Sequence, residues 1–428
     1  MSVAALAVTG AELEGRQVGL RAEDGVILAL GESVEPEPGD RLLDGTRRAL
    51  VPGLVNGHTH AAMTLFRGYA DDKPLMEWLE HYIWPAEARL GPDDVYWGAR
   101  LACMEMIRTG TVAFWDMYWQ PGATARAVRD SGLRATIGAP LIDGADPAAT
   151  GSLREAAAAG FAELEGAGPR VGAAFAPHAI YTVSEPSLRW IGERSRETGL
   201  PVHIHLSETE GEVAACRREH GLRPAEYLDR AGLLGPNTLL AHCVWLDEHE
   251  RELIAASGAT IVTNPNANMK LAVGGTFDLP AAAAAGIPVA LGTDGAGSNN
   301  ALDLLGEVKQ LALAQKQLAG DAATLPAAEA WAIATGARAP MLGAGGAIEL
   351  GGAADFLLVD LDSPALALGA LEAGLVYAAD ASVVDATVVA GEVLLERGKP
   401  TAGDADAVLA GARAAAERLG LSSTTGAP

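Results

Sequence analysis

The sequence has few cysteines, no long apolar run and no basic segment near residue 1. Its 428 residues contain three cysteines, no two of which have CxxC spacing: Cys103, Cys216 and Cys243. A sparse, odd set of cysteines in apolar surroundings is typical of reduced thiols, so we expect a cytoplasmic protein. No stretch reaches the ~18 uninterrupted apolar residues that span a membrane. Residues 1–8 are apolar without a basic flank, which indicates a strand rather than a signal peptide.

Positive charge is also scarce. The chain has 31 Lys and Arg against 55 Asp and Glu, a formal net charge of −24. A surface of this charge repels phosphate backbones and anionic membranes, so we expect neither nucleic acid nor a membrane as a partner. Hydrophobic residues make up 49% of the chain and charged residues 20%, which is ordinary for a globular protein. The length suffices for one large domain and a smaller one.

Eight apolar segments alternate with helical segments between residue 51 and about residue 338. The first covers residues 50–60, which we expect to form one strand, and seven others follow: 111–114, 134–137, 171–175, 202–205, 238–242, 259–263 and 288–292. Helices are expected between them, for example over residues 92–109 and 301–318. Eight strands alternating with helices predict an α/β fold, a TIM-like (β/α)8 barrel, in which functional groups lie at the C-terminal ends of the strands.

Short strands are expected on both sides of this region. Residues 17–31 and residues 355–394 alternate apolar pieces with turn residues, as antiparallel strands do. We therefore predict a small β-sandwich domain assembled from both ends of the chain. The predicted division is residues 1–50 for its first part, 51–343 for the barrel, and 344–428 for its second part with a terminal helix.

Histidines and one aspartate lie at the predicted strand ends. His58 and His60 end the first strand, and the period-2 alternation of a strand points both imidazoles to one side. Four further groups end other strands: His178, His205, His242 and Asp294. Their convergence on one barrel mouth predicts a metal site. Three nitrogens and a carboxylate suit Zn²⁺, with Fe²⁺ or Mn²⁺ as alternatives.

Two assignments at the fifth strand stay open at this point. His203 and His205 are two residues apart, so both imidazoles face the same way and the spacing does not say which one binds the metal. Glu208 follows the end of this strand. It is either a carboxylate at the surface or at a helix start, or a general base beside the metal. The neighbouring histidines favour the general base.

These motifs together resemble those of the amidohydrolase superfamily, in its branch of aromatic-amine deaminases. Within that branch the chain is similar to the 5′-methylthioadenosine/S-adenosylhomocysteine deaminases and their relatives, which include 6-aminodeoxyfutalosine and 5′-deoxyadenosine deaminases. The similarity covers nearly the whole chain, in these segments: 52–60, 76–79, 83–87, 177–178, 205–208, 241–243, 292–300 and 346–355. Taken together, these segments are highly specific for this family.

The resemblance implies one divalent metal ion held by four residues: His58, His60, His205 and Asp294. Binuclear members of the superfamily bridge two metals with a carboxylated lysine on a middle strand. This chain has no lysine between Lys73 and Lys270. The site is therefore expected to be mononuclear, which disfavours hydantoinase-like or dihydroorotase-like chemistry.

The resemblance also implies roles for the residues around the metal. The catalytic groups would be Glu208 as the proton shuttle, with His242 and Asp294 at the tetrahedral centre. Substrate contacts would come from four residues: Glu87 at the ribose hydroxyls, and His178, Glu208 and Ser298 at the nucleoside. The partner would be a small-molecule nucleoside. Relatives are usually dimers or tetramers, so the resemblance further implies a homo-oligomer.

The implied reaction replaces the 6-amino group of a 5′-modified adenosine by oxygen and releases ammonia, a hydrolase reaction of class EC 3.5.4. The candidate substrates are 6-aminodeoxyfutalosine, of menaquinone biosynthesis, 5′-methylthioadenosine and 5′-deoxyadenosine. S-adenosylhomocysteine is less favoured, because Ala139 and Ser152 stand where family members carry carboxylate-binding arginines. Three aromatic residues either shape the pocket or pack the barrel rim: Trp115, Tyr118 and Trp119.

Two alternative functions are considered beside this one. A deaminase or dechlorinase of the same branch would act on guanine, a pterin or a triazine, but the ribose-binding segment at residues 84–87 argues against it. A catalytically inactive barrel with a structural role would have broken metal ligands. None of the four implied ligands is broken in this sequence.

Overall fold

Five short strands precede the paired histidines. The computed structural model describes residues 5–401 and 403–421, so residues 1–4 and 422–428 of the predicted small domain lie outside the described residues. The strands are β1 Leu6–Leu13, β2 Arg16–Glu23, β3 Val26–Gly31, β4 Arg41–Asp44 and β5 Arg48–Pro52. The apolar start of the chain therefore enters a strand, as its pattern predicts for the residues that are described.

All eight predicted barrel strands are present in the middle of the chain. The strands there are β6 Leu54–Thr59, β7 Thr111–Met117, β8 Arg134–Gly138, β9 Pro140–Leu141, β10 Val171–Ala173, β11 Ala176–Pro177, β12 Val202–Leu206, β13 Thr238–His242, β14 Thr260–Thr263 and β15 Val289–Leu291. Of these, β9 and β11 are short additional strands that pair with each other. The remaining eight run parallel in two sheets, in the orders β10-β8-β7-β6 and β12-β13-β14-β15.

Hydrogen bonds at both seams close the two sheets into a barrel. At one seam the N–H of Phe175 donates to the carbonyl of Pro201 over 2.9 Å, and the N–H of His203 donates to the carbonyl of Phe175 over 2.8 Å. At the other seam, Thr293 and Asp294 donate their N–H groups to the carbonyl of His58 over 3.2 and 3.0 Å. The predicted (β/α)8 barrel is confirmed, and the second seam places Asp294 beside the paired histidines.

The prediction of a single strand over residues 50–60 is wrong. The chain leaves one sheet at the end of β5 and enters the barrel with β6, and Gly53 lies between the two strands. A Cβ atom on Gly53 would lie 2.2 Å from Cγ1 of Val112. Only a residue without a side chain can pass Val112 at this distance, so the chain changes sheets at a position that requires glycine.

The described helices lie mostly between the barrel strands. They are α1 Leu75–Trp78, α2 Trp84–Glu87, α3 Pro92–Arg108, α4 Pro121–Ser131, α5 Thr150–Leu164, α6 Glu185–Thr198, α7 Glu210–His220, α8 Pro224–Arg230, α9 Glu248–Ser257, α10 Pro265–Lys270, α11 Leu279–Ala284, α12 Leu304–Ala319, α13 Ala327–Ala334, α14 Leu371–Tyr377 and α15 Ala405–Leu419. Helix α3 matches the prediction within one residue. Helix α12 begins three residues later than predicted, because the side chain of Asp303 accepts the N–H of Leu305 and caps the helix there.

One hydrogen-bonded sheet forms the small domain. It contains β1 to β5 and four late strands, β16 Phe356–Asp360, β17 Val384–Val389, β18 Glu392–Glu396 and β19 Lys399–Pro400. Strand β5 pairs antiparallel with β16, which joins the first and last parts of the chain. At the far edge, Ile27 on β3 donates its N–H to the carbonyl of Gly352, just before β16, so the sheet folds back over one apolar core. This arrangement agrees with a sandwich-like domain built from both termini.

Two further contacts connect outlying parts to the barrel. The guanidinium of Arg134, on β8, donates from Nε to Asp355 over 2.7 Å and ties the barrel to the small sheet. This ion pair supports a structural role for Arg134. Helix α15 lies against α3, where a Cβ atom on Gly411 would meet the ring of Trp97. Within the described ranges, no helix has the length and apolar character needed to cross a membrane.

Candidate metal centre and active site

Four buried or half-buried side chains meet at the C-terminal end of the barrel. One ligand atom from each of His58, His60, His205 and Asp294 lies within 4.8 Å of the other three. Oδ1 of Asp294 is 3.3 Å from Nε2 of His58 and 3.1 Å from Nε2 of His60. Nε2 of His205 is 3.4 Å from Nε2 of His60. The structure thus brings together all four predicted ligands, from β6, from β12 and from the turn after β15.

The chemistry of this cluster fits one divalent metal ion. Nε2 of His58 and Oδ1 of Asp294 are buried and have no hydrogen-bond partner within the described part of the chain. Buried polar atoms are normally paired, so unpaired atoms that face one another indicate an ion between them. Three imidazole nitrogens and one carboxylate oxygen are ligands that zinc and other first-row divalent metals accept.

The hydrogen bonds of the Nδ1 atoms determine which nitrogen of each imidazole faces the cluster. Nδ1 of His60 donates to the carbonyl of Met117 over 2.6 Å, and Nδ1 of His205 donates to the carbonyl of His178 over 2.7 Å. A carbonyl oxygen only accepts, so both rings carry their proton on Nδ1 and present a lone pair on Nε2. His203 is not in the cluster: its Nε2 lies 2.7 Å from Nδ1 of His58, behind that ring. The ambiguity between His203 and His205 is therefore resolved in favour of His205.

Glu208 lies next to the cluster with its carboxyl group directed at the cavity. It follows β12, its residue is 7% exposed, and its Oε1 is 3.9 Å from Nδ1 of His242. Burial raises the pKa of the Glu208 carboxyl above its ordinary value. Glu208 is therefore a buried carboxyl group beside the cluster and not a surface carboxylate.

His242 ends β13, and its ring is held by Asn268, a residue that the sequence pattern alone did not identify. Its Nδ1 donates to Oδ1 of Asn268 over 2.8 Å, which leaves Nε2 of this cavity-lining ring for another partner. Asn268 belongs to the run Asn264-Pro265-Asn266-Ala267-Asn268 after β14. The three asparagines in these five residues, directly after a buried strand, are the feature of the sequence that could have indicated Asn268.

The backbone is strained where these side chains project into the cavity. Four non-glycine residues at the strand ends have positive φ: Ser207 at 49°, His242 at 72°, Cys243 at 53° and Asp294 at 60°. Such conformations cost free energy in residues that carry a Cβ atom, and they concentrate at functional sites. The strain is therefore consistent with a site that positions side chains at the expense of backbone stability.

A cavity opens over the cluster. One wall comes from the segment after β6 and includes Leu75, Trp78, Leu79, Ile83, Trp84 and Glu87. Opposite residues come from other strand ends, among them Tyr118, Trp119, Pro140, Ile142, His178, Tyr181 and Ser298. No lysine or arginine of the described chain lines this cavity, so its charged groups are carboxylates and the metal ligands.

The predicted substrate residues all line this cavity. Burial raises the pKa of the Glu87 carboxyl, and Oε2 of Glu87 accepts the indole N–H of Trp119 over 3.2 Å. His178 is half-buried, and the loss of water around its ring lowers its pKa to about 3, which keeps the ring neutral at pH 7. The hydroxyl of Ser298 donates to Oδ2 of Asp294 over 2.6 Å, so Ser298 also holds a metal ligand. Their roles toward a substrate remain predictions.

The three aromatic residues in and directly after β7 divide between the two possible roles. Tyr118 and Trp119 line the cavity. Trp115 is buried away from it, and its indole N–H donates to the carbonyl of Leu342 over 3.3 Å. Ala139 does not line the cavity, whereas its neighbour Pro140 does. The position at which an arginine was expected is thus occupied by an apolar stretch.

Comparison with known proteins agrees with this site. A model of the amidohydrolase family matches residues 49–394. The chain is 47% identical over 382 residues to a 5′-deoxyadenosine deaminase of Methanoregula boonei, covering 88% of this chain and 86% of the relative. It is 44% identical over 361 residues to 5-methylthioadenosine/S-adenosylhomocysteine deaminase 1 of Archaeoglobus fulgidus, covering 84% and 85%.

A solved structure extends this similarity to the whole fold. The structure of an adenosine deaminase from Xanthomonas campestris with bound zinc superimposes with a TM-score of 0.88 at 34% identity, covering 97% of this chain and 98% of that one. The family match spans most of the chain, and the relatives share both its sequence and its architecture. This chain belongs to the amidohydrolase family.

Proposed function

We propose that this protein is a metal-dependent hydrolytic deaminase that replaces the 6-amino group of a 5′-modified adenosine by oxygen and releases ammonia. The observation that carries the proposal is that one cavity contains a three-histidine, one-aspartate cluster, the buried carboxyl group of Glu208 and the half-buried carboxyl group of Glu87. The relatives named as deaminases of 5′-deoxyadenosine and of methylthioadenosine/S-adenosylhomocysteine support the same reaction class.

We propose zinc as the metal, with Fe²⁺ or Mn²⁺ as alternatives. His58, His60, His205 and Asp294 would hold it. When bound, such an ion supplies Lewis acidity and lowers the pKa of a coordinated water to roughly 7. The zinc in the structure of the Xanthomonas deaminase supports this choice.

Glu208 and His242 would perform the proton transfers. The Glu208 carboxylate accepts a proton from the attacking water and delivers it to the ring nitrogen beside C6, which makes that carbon more electrophilic. His242, oriented by Asn268, stabilises the charge that develops at the tetrahedral carbon. Asp294, held by the hydroxyl of Ser298, assists the proton transfer to the departing ammonia.

Glu87 and His178 would bind the nucleoside. An ionised carboxylate accepts two hydrogen bonds, so the vicinal hydroxyls of a ribose suit Glu87, whose orientation the indole of Trp119 holds. Nδ1 of His178 lies 3.0 Å from the hydroxyl of Thr182, which leaves Nε2 of the neutral ring to contact the base. Guanine, pterins and triazines have no ribose, so they would leave the hydrogen-bonding capacity of the Glu87 carboxylate that Trp119 does not use without a partner in the substrate. The adenosine derivative is therefore favoured over these alternatives.

The cavity further favours an uncharged 5′ substituent. A carboxylate on the substrate needs a cationic partner in a buried site, and no lysine or arginine lines the described cavity. The apolar lining at Leu75, Leu79, Pro140 and Ile142 instead suits a methyl or methylthio group. We therefore rank 5′-deoxyadenosine and 5′-methylthioadenosine above 6-aminodeoxyfutalosine and S-adenosylhomocysteine, both of which carry a carboxylate.

A substrate panel tests this proposal. The zinc-loaded protein is assayed for ammonia release with the four nucleosides and with guanine, and the substrates are ranked by kcat/KM. We expect 5′-deoxyadenosine or 5′-methylthioadenosine to rank first and guanine to be inert. A ranking led by a carboxylate-bearing nucleoside overturns the substrate assignment, and absence of ammonia release from every adenosine derivative overturns the deaminase. The homo-oligomer remains a separate proposal, which light scattering tests.

A further inference from the structure

His203 is a buried histidine for which the proposed reaction has no use. It lies on β12, two residues before the metal ligand His205, and is 1% exposed. Because side chains on a strand alternate, both imidazoles face the barrel interior, and His203 lies deeper than His205 by one repeat of the strand. It therefore sits behind the metal cluster instead of in it.

The position of His203 is defined by its contact with His58. Nε2 of His203 lies 2.7 Å from Nδ1 of His58, and the two rings are nearly perpendicular, with an interplanar angle of 89°. Nε2 of His58 faces Asp294 in the cluster. A neutral imidazole that offers its Nε2 lone pair to a metal carries its proton on Nδ1, so His58 donates and His203 accepts.

This support differs from that of the other two histidine ligands. His60 and His205 donate to backbone carbonyls, which accept hydrogen bonds whatever the side chains around them are. Only His58, of the three, depends on a side chain for its acceptor. A substitution can therefore remove the acceptor of His58, whereas no substitution removes a carbonyl.

The second ring nitrogen of His203, Nδ1, indicates that this residue does more than stabilise the fold. Nδ1 of His203 is buried and has no hydrogen-bond partner within the described chain. When Nε2 accepts, Nδ1 carries a proton, and a buried unpaired N–H costs free energy. The indole of Trp115 packs against the ring, with the centroids 5.9 Å apart, and limits its rotation. The polar ring of His203 is therefore buried, and within the described chain its one hydrogen bond is the contact with His58.

We propose that His203 is a positioning residue for the metal site. By accepting the Nδ1 proton of His58, it holds that ring in the tautomer and orientation that present Nε2 to the ion. Outer hydrogen-bond partners of metal-bound histidines commonly change metal affinity by ~10–100-fold when removed. We expect the same range here, with the effect on metal binding and not on the chemistry of the loaded site.

Metal affinity of the full chain is the direct test. His203→Leu removes the acceptor and keeps an apolar side chain of similar length, whereas His203→Gln retains a carbonyl oxygen that can accept. The zinc dissociation constant of each is measured by competition with a chromophoric chelator. We expect ~10–100-fold weaker zinc binding in H203L and recovery to within a few fold in H203Q. The exposed His249→Leu is the matched control and should bind zinc as the wild type does.

Two further readouts separate positioning from damage to the fold. The circular dichroism spectrum reports the fold, and the visible spectrum of the cobalt-substituted protein reports the ligand geometry. We expect H203L and H203Q to keep the wild-type circular dichroism, and H203Q to keep the wild-type cobalt spectrum. Wild-type zinc affinity in H203L, or equal losses in folded H203L and H203Q, would overturn the proposal. If H203L does not fold, an altered cobalt spectrum in folded H203Q also overturns it. None of these measurements depends on the identity of the substrate.

Discussion

Glu208 and Glu212 are four residues apart, and their carboxyl groups have different partners. Glu212 accepts the backbone N–H groups of Ser207 and Glu208 over 3.0 and 2.8 Å, and so holds the strained turn after β12. The side chain of Glu208 makes no such contact and faces the cavity. Glu212 therefore stabilises the backbone at Glu208, whose own carboxyl group faces the cavity.

Replacing Glu208 by glutamine should abolish most of the turnover. An amide cannot accept the proton of the attacking water, and loss of general acid–base catalysis typically costs ~10²–10⁴-fold in rate. Because Glu208 is not in the metal cluster, the zinc content should stay near one ion per chain. The checks are kcat for ammonia release and zinc by atomic emission. Exposed Glu210→Gln in the same segment is the control, and substantial remaining activity in E208Q would refute the assigned role.

The same carboxyl group should set the acid limb of the pH profile. Burial raises the pKa of Glu208 above its ordinary value of 4.5. Below this raised pKa the carboxyl is protonated and no longer accepts a proton, so kcat/KM should fall as the pH falls through it, at a pH higher than 4.5. Zinc content is measured at each pH to exclude loss of the metal. A profile that stays flat down to pH 4.5 with zinc bound would contradict this prediction.

At the scale of elements, the boundary between the two domains depends on one close approach. Strands β5 and β6 are separated by a single residue, and they belong to different sheets. The apolar pattern over residues 50–60 predicts a continuous strand, because hydrophobic patterning does not report where a chain changes sheets. The close contact of Gly53 with Val112 on β7 is between neighbours in space, which no local pattern identifies.

Gly53→Ala should therefore destabilise the protein. Its Cβ would lie 2.2 Å from Cγ1 of Val112, and overpacking of this kind costs about 1–3 kcal/mol. The control is Gly151→Ala at the start of α5, where an added Cβ has no neighbour within 4 Å and alanine favours the helix by about 0.4–1 kcal/mol. Urea unfolding followed by circular dichroism measures both. A G53A variant as stable as G151A would show that Val112 moves aside freely.

At the scale of the whole molecule, the metal cluster joins distant parts of the barrel. Its ligands come from β6, from β12 and from the turn after β15, and the last of these lies at the seam that closes the barrel. A bound ion would therefore connect opposite sides of the barrel and strengthen its closing seam.

Chelation should lower the stability of the whole barrel. A ligand that binds only the folded state stabilises it by about 2.7 kcal/mol when its free concentration is 100 times Kd. Removal of zinc should therefore lower the midpoint of thermal unfolding, and added zinc should restore it. Differential scanning calorimetry with and without chelator checks this. His58→Ala lacks one metal ligand, so its unfolding midpoint should not respond to zinc as the wild-type midpoint does. An unchanged wild-type midpoint after complete removal of zinc would contradict the prediction.

The eight barrel strands could be predicted from the sequence because they depend on local patterns, whereas the family resemblance was needed to select the four ligands among the polar residues at the strand ends. Alternation of strands and helices is visible along the chain, and residues at strand ends of a barrel necessarily meet. The contact of His203 with His58 could not be predicted, since it joins residues 145 positions apart. The hydrogen bond from His242 to Asn268 and the seam between His58 and Asp294 depend on tertiary packing in the same way.

The pairing of β5 with β16 has a consequence for synthesis on the ribosome. About 300 residues separate these two strands in the chain. At ~5–20 residues per second, the first five strands emerge ~15–60 s before the strand that covers β5. During this interval the nascent chain exposes an open strand edge, which is a template for pairing with other chains. The small sheet is therefore the last part to be completed, and chaperone binding would be most useful while β16 is still untranslated.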